Sequence, residues 1–213
     1  MLYNIKISNG DRSDVINYIN SRRQINSNYK VVDVGGAHGG WSAPYVDAIV
    51  DFNDISPQSP IKHFKCDITN PNDYNELMTY VKQNGKFDFC ICTHTLEDIM
   101  NPLFVCEQIE KISKEGYIAF PSKYRELARI EGYYRGYIHH RWIFVPKEDY
   151  ILSFPKINYI EHPIFDKIEN ANNNVCDFSF YWKDCIKIKY VNNNYLGPNV
   201  SAVISYYNEL LLL

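Results

Sequence analysis

Apolar residues along this chain fall into two rhythms. Short runs are apolar at nearly every position: Val31, Val32 and Val34 within 30–34, Ala48-Ile49-Val50-Asp51-Phe52, Phe87-Asp88-Phe89-Cys90-Ile91-Cys92, and Tyr117-Ile118-Ala119-Phe120. Such runs, rich in β-branched and aromatic residues, predict buried strands, and Ile61 to Cys66, closing on Asp67, adds one more. Between them the apolar residues recur at helical spacing. Val15, Ile16 and Ile19 predict a helix over 12–22, with Ser13 or Asp14 as its cap. Asn70-Pro71-Asn72 opens a second helix through about Lys82, stopped by Asn84-Gly85. Phe104, Val105, Ile109 and Ile112 define a third from Pro102 to Lys114, broken by Glu115-Gly116. Strands alternating with helices predict a parallel sheet covered on both faces. Ligands of such sheets bind beyond the carboxyl ends of the strands, and there stand Gly35, Asp51, Asp67, Thr93 and Pro121.

After about residue 122 the pattern changes. A short helical piece from Tyr124 to Ile130 precedes the aromatic and basic stretch Tyr133 to Phe144. Alternating or short apolar runs at 149–153, 157–160, 176–182 and 185–190 predict a β-rich half, with the Asn-dense pieces 169–174 and 192–194 as turns. This half is expected to extend the same sheet. No internal repeat is evident.

Composition narrows the function. A chain of 213 residues can bury a sizeable core as one domain. A formal charge of −3 gives no sign of a polyanionic partner, so no nucleic acid is expected. The 18 Tyr and 11 Phe suit core and sheet packing, or a pocket for a flat or sugar-like acceptor. Cysteines 66, 90, 92, 106, 176 and 185 show no zinc-type grouping, and scattered thiols fit a reducing compartment. Met1 is not followed by a basic segment and apolar core, and Leu210 to Leu213 is too short to span a bilayer. A cytoplasmic protein with no membrane partner is expected.

The chemistry concentrates in Tyr29 to Trp41, where a strand ends in an acid and Gly35, Gly36, Gly39 and Gly40 follow at once. Glycine allows positive φ and close backbone approach, so this loop can lie against a ligand. Dinucleotide loops usually carry an apolar residue where Asp33 stands, because an anionic pyrophosphate lies beside it. A carboxylate there suits a cationic group.

At these residues the chain resembles the class I S-adenosylmethionine-dependent methyltransferases, whose first motif is acid-x-Gly-x-Gly-x-Gly at the end of the first strand. The match lies at Asp33, Gly35 and Gly39; Ala37 stands where the family has glycine. The resemblance implies a Rossmann-like α/β parallel-sheet methyltransferase fold with a β-rich C-terminal elaboration. It implies one domain over 1–213, with a cofactor-binding core at 1–122 and a substrate-side part at 123–213. Asp33, Gly35, Gly36, Ala37 and Gly39 would wrap the methionine part of S-adenosyl-L-methionine. Asp51, in competition with Asp54, would hold the ribose; Asp67 would accept from the adenine amino group, with Ile68 packed on the ring. The 40–47 interval is short, so the first crossover helix must shrink to a turn or two.

Two further segments extend the resemblance. Phe89-Cys90-Ile91-Cys92-Thr93-His94-Thr95-Leu96-Glu97-Asp98-Ile99 resembles the strand that ends beside the methyl group, placing Thr93 against the cofactor. Phe120-Pro121-Ser122 with His139-His140-Arg141-Trp142 resembles a subgroup with Pro-Ser after its fifth strand and a His-Arg-Trp segment. Methyl transfer from a sulfonium is an in-line displacement with a neutral leaving group. Alignment contributes about 7–11 kcal/mol at best, and a hydroxyl acceptor must lose its proton. Histidine suits that task. His140 and His94 are thus the candidate bases, with Arg141, Trp142 and Tyr134 on the substrate and His38 a cofactor-side contact. No metal site is expected. O-methylation of a small or sugar-like acceptor is the leading reading. An NAD-type oxidoreductase is the alternative, since Gly35 to Gly40 with a later Asp partly fits that fingerprint. A non-catalytic binding or scaffold protein is the third, favoured by Ala37 and the short crossover.

Overall fold

The structure is a computed structural model that describes residues 1–53, 60–130, 132–168 and 175–191, and positions 205, 208 and 210. Its centre is a seven-stranded sheet of β1 (Leu2–Ser8), β2 (Val31–Val34), β3 (Ala48–Asp51), β4 (Lys62–Lys65), β5 (Phe87–Thr93), β6 (Ser113–Pro121) and β9 (Asp177–Lys183). The spatial order is β1-β9-β6-β5-β2-β3-β4. Strands β6, β5, β2, β3 and β4 pair in parallel, while β9 runs antiparallel to both β6 and β1. The predicted parallel α/β sheet is the observed one.

Alternate residues of the central strands feed two apolar layers. Val32, Val34, Val50, Cys90, Cys92, Ile118 and Phe120 face a layer completed by Leu77, Val105, Ile109 and Ile112. Val31, Ile49, Phe89, Ile91 and Tyr117 face the other, completed by Val15 and Ile19. Fully burying side chains of this size contributes about 1.5–3 kcal/mol each, which makes the two layers the main stabilising term. The helices supplying them are α1 (Ser13–Ile25), α2 (Asn75–Asn84) and α3 (Pro102–Ile112). Asn101 caps α3 by accepting from the Phe104 amide at 3.1 Å, with Pro102 in the first turn. At α1 neither Ser13 nor Asp14 caps; Asp11 Oδ1 accepts from the Ser13 amide at 2.9 Å.

Two boundaries differ from expectation. Helix α3 ends at Ile112 and β6 begins at Ser113, so Glu115-Gly116 lies inside a strand and breaks nothing. Gly116 is there for clearance: a Cβ on it would fall on the Cys90 carbonyl oxygen and 2.6 Å from the Trp182 indole nitrogen. Strand β1 adds to the expected strands, with Tyr3, Ile5 and Ile7 alternating with polar residues.

Among the described residues, the C-terminal half extends the main sheet only through β9. Strands β7 (Trp142–Pro146), β8 (Ile151–Pro155) and β10 (Ile188–Tyr190) form a separate three-stranded sheet in the order β10-β8-β7. The predicted strand at 157–160 is instead a 3-10 turn at Asn158–Glu161. The helical piece is the short α4 (Lys123–Leu127), begun by Ser122, whose Oγ accepts from the Arg125 amide at 3.2 Å. Ile143, Val145, Phe154, Ile160 and Phe165 form the small sheet's own core, and Phe144 packs tilted against Phe120 at 4.8 Å to join it to the main one. The Asn-dense turns at 169–174 and 192–194 lie outside the described residues. None of the helices described is long and apolar enough to cross a membrane.

Candidate functional site

The chain turns one way from β2 to β3 and β4, and the other way to β5 and β6, so the strand order reverses between β2 and β5. Ligands of open α/β sheets bind at such a reversal, outside the carboxyl ends. A cleft of about 620 Å³ lies there. Its walls carry Gly35 from β2, Asp51 from β3, Asp67 and Ile68 from beyond β4, and His94 and Thr95 from beyond β5.

The glycine turn is shaped by close approach. Gly35 donates to the Val50 carbonyl at 2.8 Å and has φ +77, and a Cβ on it would overlap the Thr95 side chain. A Cβ on Gly36 would overlap the Asp33 carboxyl group. Gly39 has φ +86 in open space, and the methyl of Ala37 is exposed. The crossover that follows is a 3-10 turn at Ala43–Tyr45, as short as the sequence predicts.

Asp33 is buried behind this turn instead of standing on the cleft wall. Ser42 Oγ donates to its Oδ2, while Oδ1 has no hydrogen-bond partner among the described residues. Burial pushes its carboxyl up to about 7, aided by the nearby Asp51 charge and opposed by the Ser42 bond. An orphaned carboxylate oxygen of this kind is costly until a donor or cation reaches it.

The other acids hold local turns. Asp51 Oδ1 accepts from the Asn53 amide and side chain, both at 2.8 Å. Asp67 Oδ1 accepts from the Thr69 amide at 2.9 Å and hydroxyl at 2.7 Å, leaving its carboxylate at the rim. Asp54, the competing ribose candidate, lies outside the described residues. Thr93 ends β5 half-buried, and its carbonyl accepts from Thr95 Oγ1 at 3.1 Å, so Thr95 forms the wall where Thr93 was expected.

His94 adopts φ +50 and sits among charges that the sequence reading missed. Its Nε2 lies 3.0 Å from Asp177 Oδ2 and its Nδ1 lies 3.4 Å from Glu97 Oε1. Arg12 Nη2 donates to the same Asp177 oxygen at 2.7 Å. Burial alone opposes protonation of the imidazole, but the two carboxylates override it and hold His94 up at about 9. The same contacts lower the Asp177 carboxyl against the effect of its own burial, whereas burial raises that of Glu97. A histidine that is cationic at neutral pH donates hydrogen bonds and does not take protons. The two carboxylates thus favour the protonated form of His94, one of the two candidate bases.

His140 is buried and lies off the cleft wall, behind Asp98. Its Nδ1 bonds Glu126 Oε1 at 2.5 Å, Lys156 holds Glu126 Oε2 at 2.9 Å, and its Nε2 faces Asp98 Oδ1 at 3.5 Å. His139 Nε2 stands 3.8 Å from the same Asp98 oxygen. A second cavity, of about 380 Å³, opens on the far side of His140 and carries Tyr134 and Lys156 on its walls. Arg141 and Trp142, the expected substrate contacts, bond main-chain carbonyls. Arg141 Nε donates to the Asp98 carbonyl at 3.0 Å and Trp142 Nε1 to the Ile99 carbonyl at 2.8 Å, pinning β7 to the 97–99 segment. The exposed His38 stays on the glycine turn.

No protein-family model matches the chain, and no curated protein matches it. Among solved structures, the chain is similar to the N-terminal domain of EvdMO1 with SAH bound, at 12% identity over 80% of this chain and 81% of that one, with a TM-score of 0.38. The same domain in the presence of SAH and D-fucose gives 11% identity over 82% and 84%, with a TM-score of 0.32. A cyclopropane-fatty-acyl-phospholipid synthase-like protein from Lactobacillus casei ATCC 334 gives 11% identity over 84% and 96%, also at 0.32.

Proposed function

We propose that the cleft binds S-adenosyl-L-methionine and that the protein transfers its methyl group to an oxygen of a small or sugar-like acceptor. The observation that carries this reading is the order of groups along the cleft. A glycine turn backed by the orphaned carboxylate of Asp33 lies at the strand reversal, Asp51 stands one strand over, and Asp67 with Ile68 one strand further. Asp33 and the turn of Gly35, Gly36, Ala37 and Gly39 then take the amino acid end of the cofactor. The carboxylate of Asp51 takes the two ribose hydroxyls, since one carboxylate accepts from both. Asp67 accepts from the adenine amino group and Ile68 packs on the ring. The sulfonium comes to lie near Thr95 and the cationic His94, which orients Asp177 and Glu97 and excludes bulk water from that end.

The acceptor enters the cleft beside Asp98, with His139 and His140 next to that carboxylate and Tyr134 on the wall of the cavity beyond His140. Transfer breaks the sulfonium C–S bond as the acceptor oxygen forms the new C–O bond, with S-adenosylhomocysteine leaving neutral. Most of the acceleration comes from alignment. Loss of the hydroxyl proton falls to the Asp98–His139–His140 cluster, because His94 is already protonated. Asp33 disfavours the dinucleotide alternative, since an acid directly behind the glycine turn repels an anionic pyrophosphate laid against that turn.

Isothermal titration with S-adenosylhomocysteine and, separately, with NAD tests the reading. Binding of the first with no binding of NAD is expected, and a ligand at about 100 times its Kd adds about 2.7 kcal/mol to stability. No heat with millimolar S-adenosylhomocysteine overturns it.

A further inference from the structure

Asp98, His139 and His140 present a donor set that the proton-removal role alone does not explain. Asp98 Oδ1, His139 Nε2 and His140 Nε2 all lie within 4.8 Å of one another. His139 and His140 are neighbours in sequence, and Asp98 comes from the segment after β5. Their meeting depends on Arg141 and Trp142, whose amides donate to the Glu97 carbonyl at 2.7 and 3.3 Å and whose side chains bind the next two carbonyls.

The protonation geometry is the telling part. Glu126 Oε1 accepts from His140 Nδ1 at 2.5 Å, which places the proton of a neutral imidazole on Nδ1 and a lone pair on Nε2. That lone pair points at Asp98 Oδ1, 3.5 Å away, itself an acceptor, buried as an atom and without a hydrogen-bond partner among the described residues. Two acceptors facing each other in a buried setting call for a positive centre between them, either a second ring proton or a metal ion. A carboxylate behind the distal nitrogen of a histidine is also the usual support of a metal-ligating imidazole, where it fixes the tautomer and raises basicity. Lys156 on Glu126 Oε2 and the Tyr137 ring, 4.7 Å from that of His140, hold this support in place. The third donor, His139, is exposed, with its ring 4.5 Å from that of His140.

We infer that Asp98, His139 and His140 form a binding site for one divalent transition-metal ion, with its open side toward the cleft that Asp98 lines. Two imidazoles and one carboxylate favour zinc, manganese or iron over magnesium or calcium, which prefer all-oxygen sites. Ligand atoms about 2.0–2.2 Å from such an ion stand roughly 3.0–3.5 Å apart at tetrahedral or octahedral angles. The 3.5 and 3.8 Å separations from Asp98 Oδ1 are close to that range. The site rests on its own geometry. Its role in the transfer, holding the acceptor oxygen and lowering the pKa of its hydroxyl, rests on the function proposed above.

The test titrates the chelator-stripped full chain with zinc chloride alone, without cofactor or acceptor, so its outcome is independent of whether S-adenosylmethionine binds. Saturable binding of one zinc ion per chain is expected, with magnesium at least tenfold weaker. His139→Ala, at an exposed position, and Asp98→Asn should each weaken zinc at least tenfold while the far-ultraviolet circular dichroism stays that of the parent. Because His140 is buried, these two variants carry the test. No saturable zinc binding, equal affinity for magnesium, or unchanged zinc affinity in both variants overturns the assignment and leaves the cluster an imidazolium–carboxylate pair.

Discussion

His94 Nε2 lies 3.0 Å from Asp177 Oδ2, although 83 residues of chain separate them. The contact joins the end of β5 to the first residue of β9, and Arg12 closes it from the start of α1. Three segments therefore meet at the cleft on one carboxylate oxygen. If His94 is protonated, its N–H and that of Arg12 both aim at Asp177, so their mutual 2.9 Å approach is a shared acceptor and not a hydrogen bond. The carboxylate is what lets two cations stand together there.

Asp177→Asn should release His94. With one of its two carboxylate partners gone, the imidazole should titrate lower by roughly one pH unit or more, measured by proton NMR of the ring. The sign for stability follows from the raised value of about 9. The stabilisation is complete below the unfolded value near 6.5 and is lost as pH rises through about 9. The parent should therefore lose stability over that window in chemical denaturation, and the variant should lose less. An unchanged ring titration would refute the pairing.

Gly35→Ala and Gly39→Ala separate backbone conformation from crowding. Both sites have positive φ, which costs an L side chain about 1–3 kcal/mol. Only Gly35 also meets a neighbour, the Thr95 side chain. Gly35→Ala should thus cost more than Gly39→Ala and lower the melting temperature further, at roughly 2–4 °C per kcal/mol for a chain of this size. It should also abolish binding in the cleft. Equal melting temperatures would show that the turn gives way.

The sheet and its glycine turn were legible because their signals are local: a β-branched run, an acid, and glycines placed where backbone crowds side chain. The charges around them were not. Asp177 and Glu126 carry no motif, and they reach His94 and His140 only through pairing of β9 with β6 and through the turn that follows α4. Arg141 and Trp142 were read as substrate contacts from their chemistry alone. Their partners are carbonyls 43 residues earlier, invisible until β7 is docked. For the same reason a donor set of Asp98, His139 and His140 went unforeseen. Gly116 misled in the opposite direction, since a glycine after a helix reads as a stop whether it ends the helix or clears room for an indole.

Gly116→Ala is expected to destabilise the protein without touching the cleft. The added methyl would collide with the Cys90 carbonyl and the Trp182 indole, neither of which is the loose end of a flexible side chain. Overpacking of this kind costs about 1–3 kcal/mol. Denaturant midpoints should fall accordingly, while affinity for S-adenosylhomocysteine, measured well below the transition, stays that of the parent.

Asp33→Asn opposes stability to binding. The Asp33 carboxyl is fully enclosed and titrates near 7, well above its ordinary 3.8. Its contribution to stability is complete below about 3.8 and is lost as pH rises through about 7, because above that the folded chain must hold a buried anion. At 1.36 kcal/mol per pH unit, the charged form costs on the order of 4 kcal/mol by pH 8. Asparagine keeps the shape and an oxygen for the Ser42 hydroxyl to bond, and removes the charge. The variant without ligand should therefore be more stable than the parent at pH 8, with most of that gain gone at pH 4. A ligand that brings an ammonium group reverses the balance, since that group is what the orphaned oxygen lacks, and a hydrogen bond to a charged group contributes about 1.5–3 kcal/mol. Affinity for S-adenosylhomocysteine should fall by roughly ten- to a hundredfold. Denaturation at the two pH values and titration of the ligand at pH 8 measure both halves. A variant that gains stability yet binds as tightly as the parent would keep Asp33 as a buried acid and remove it from the ligand.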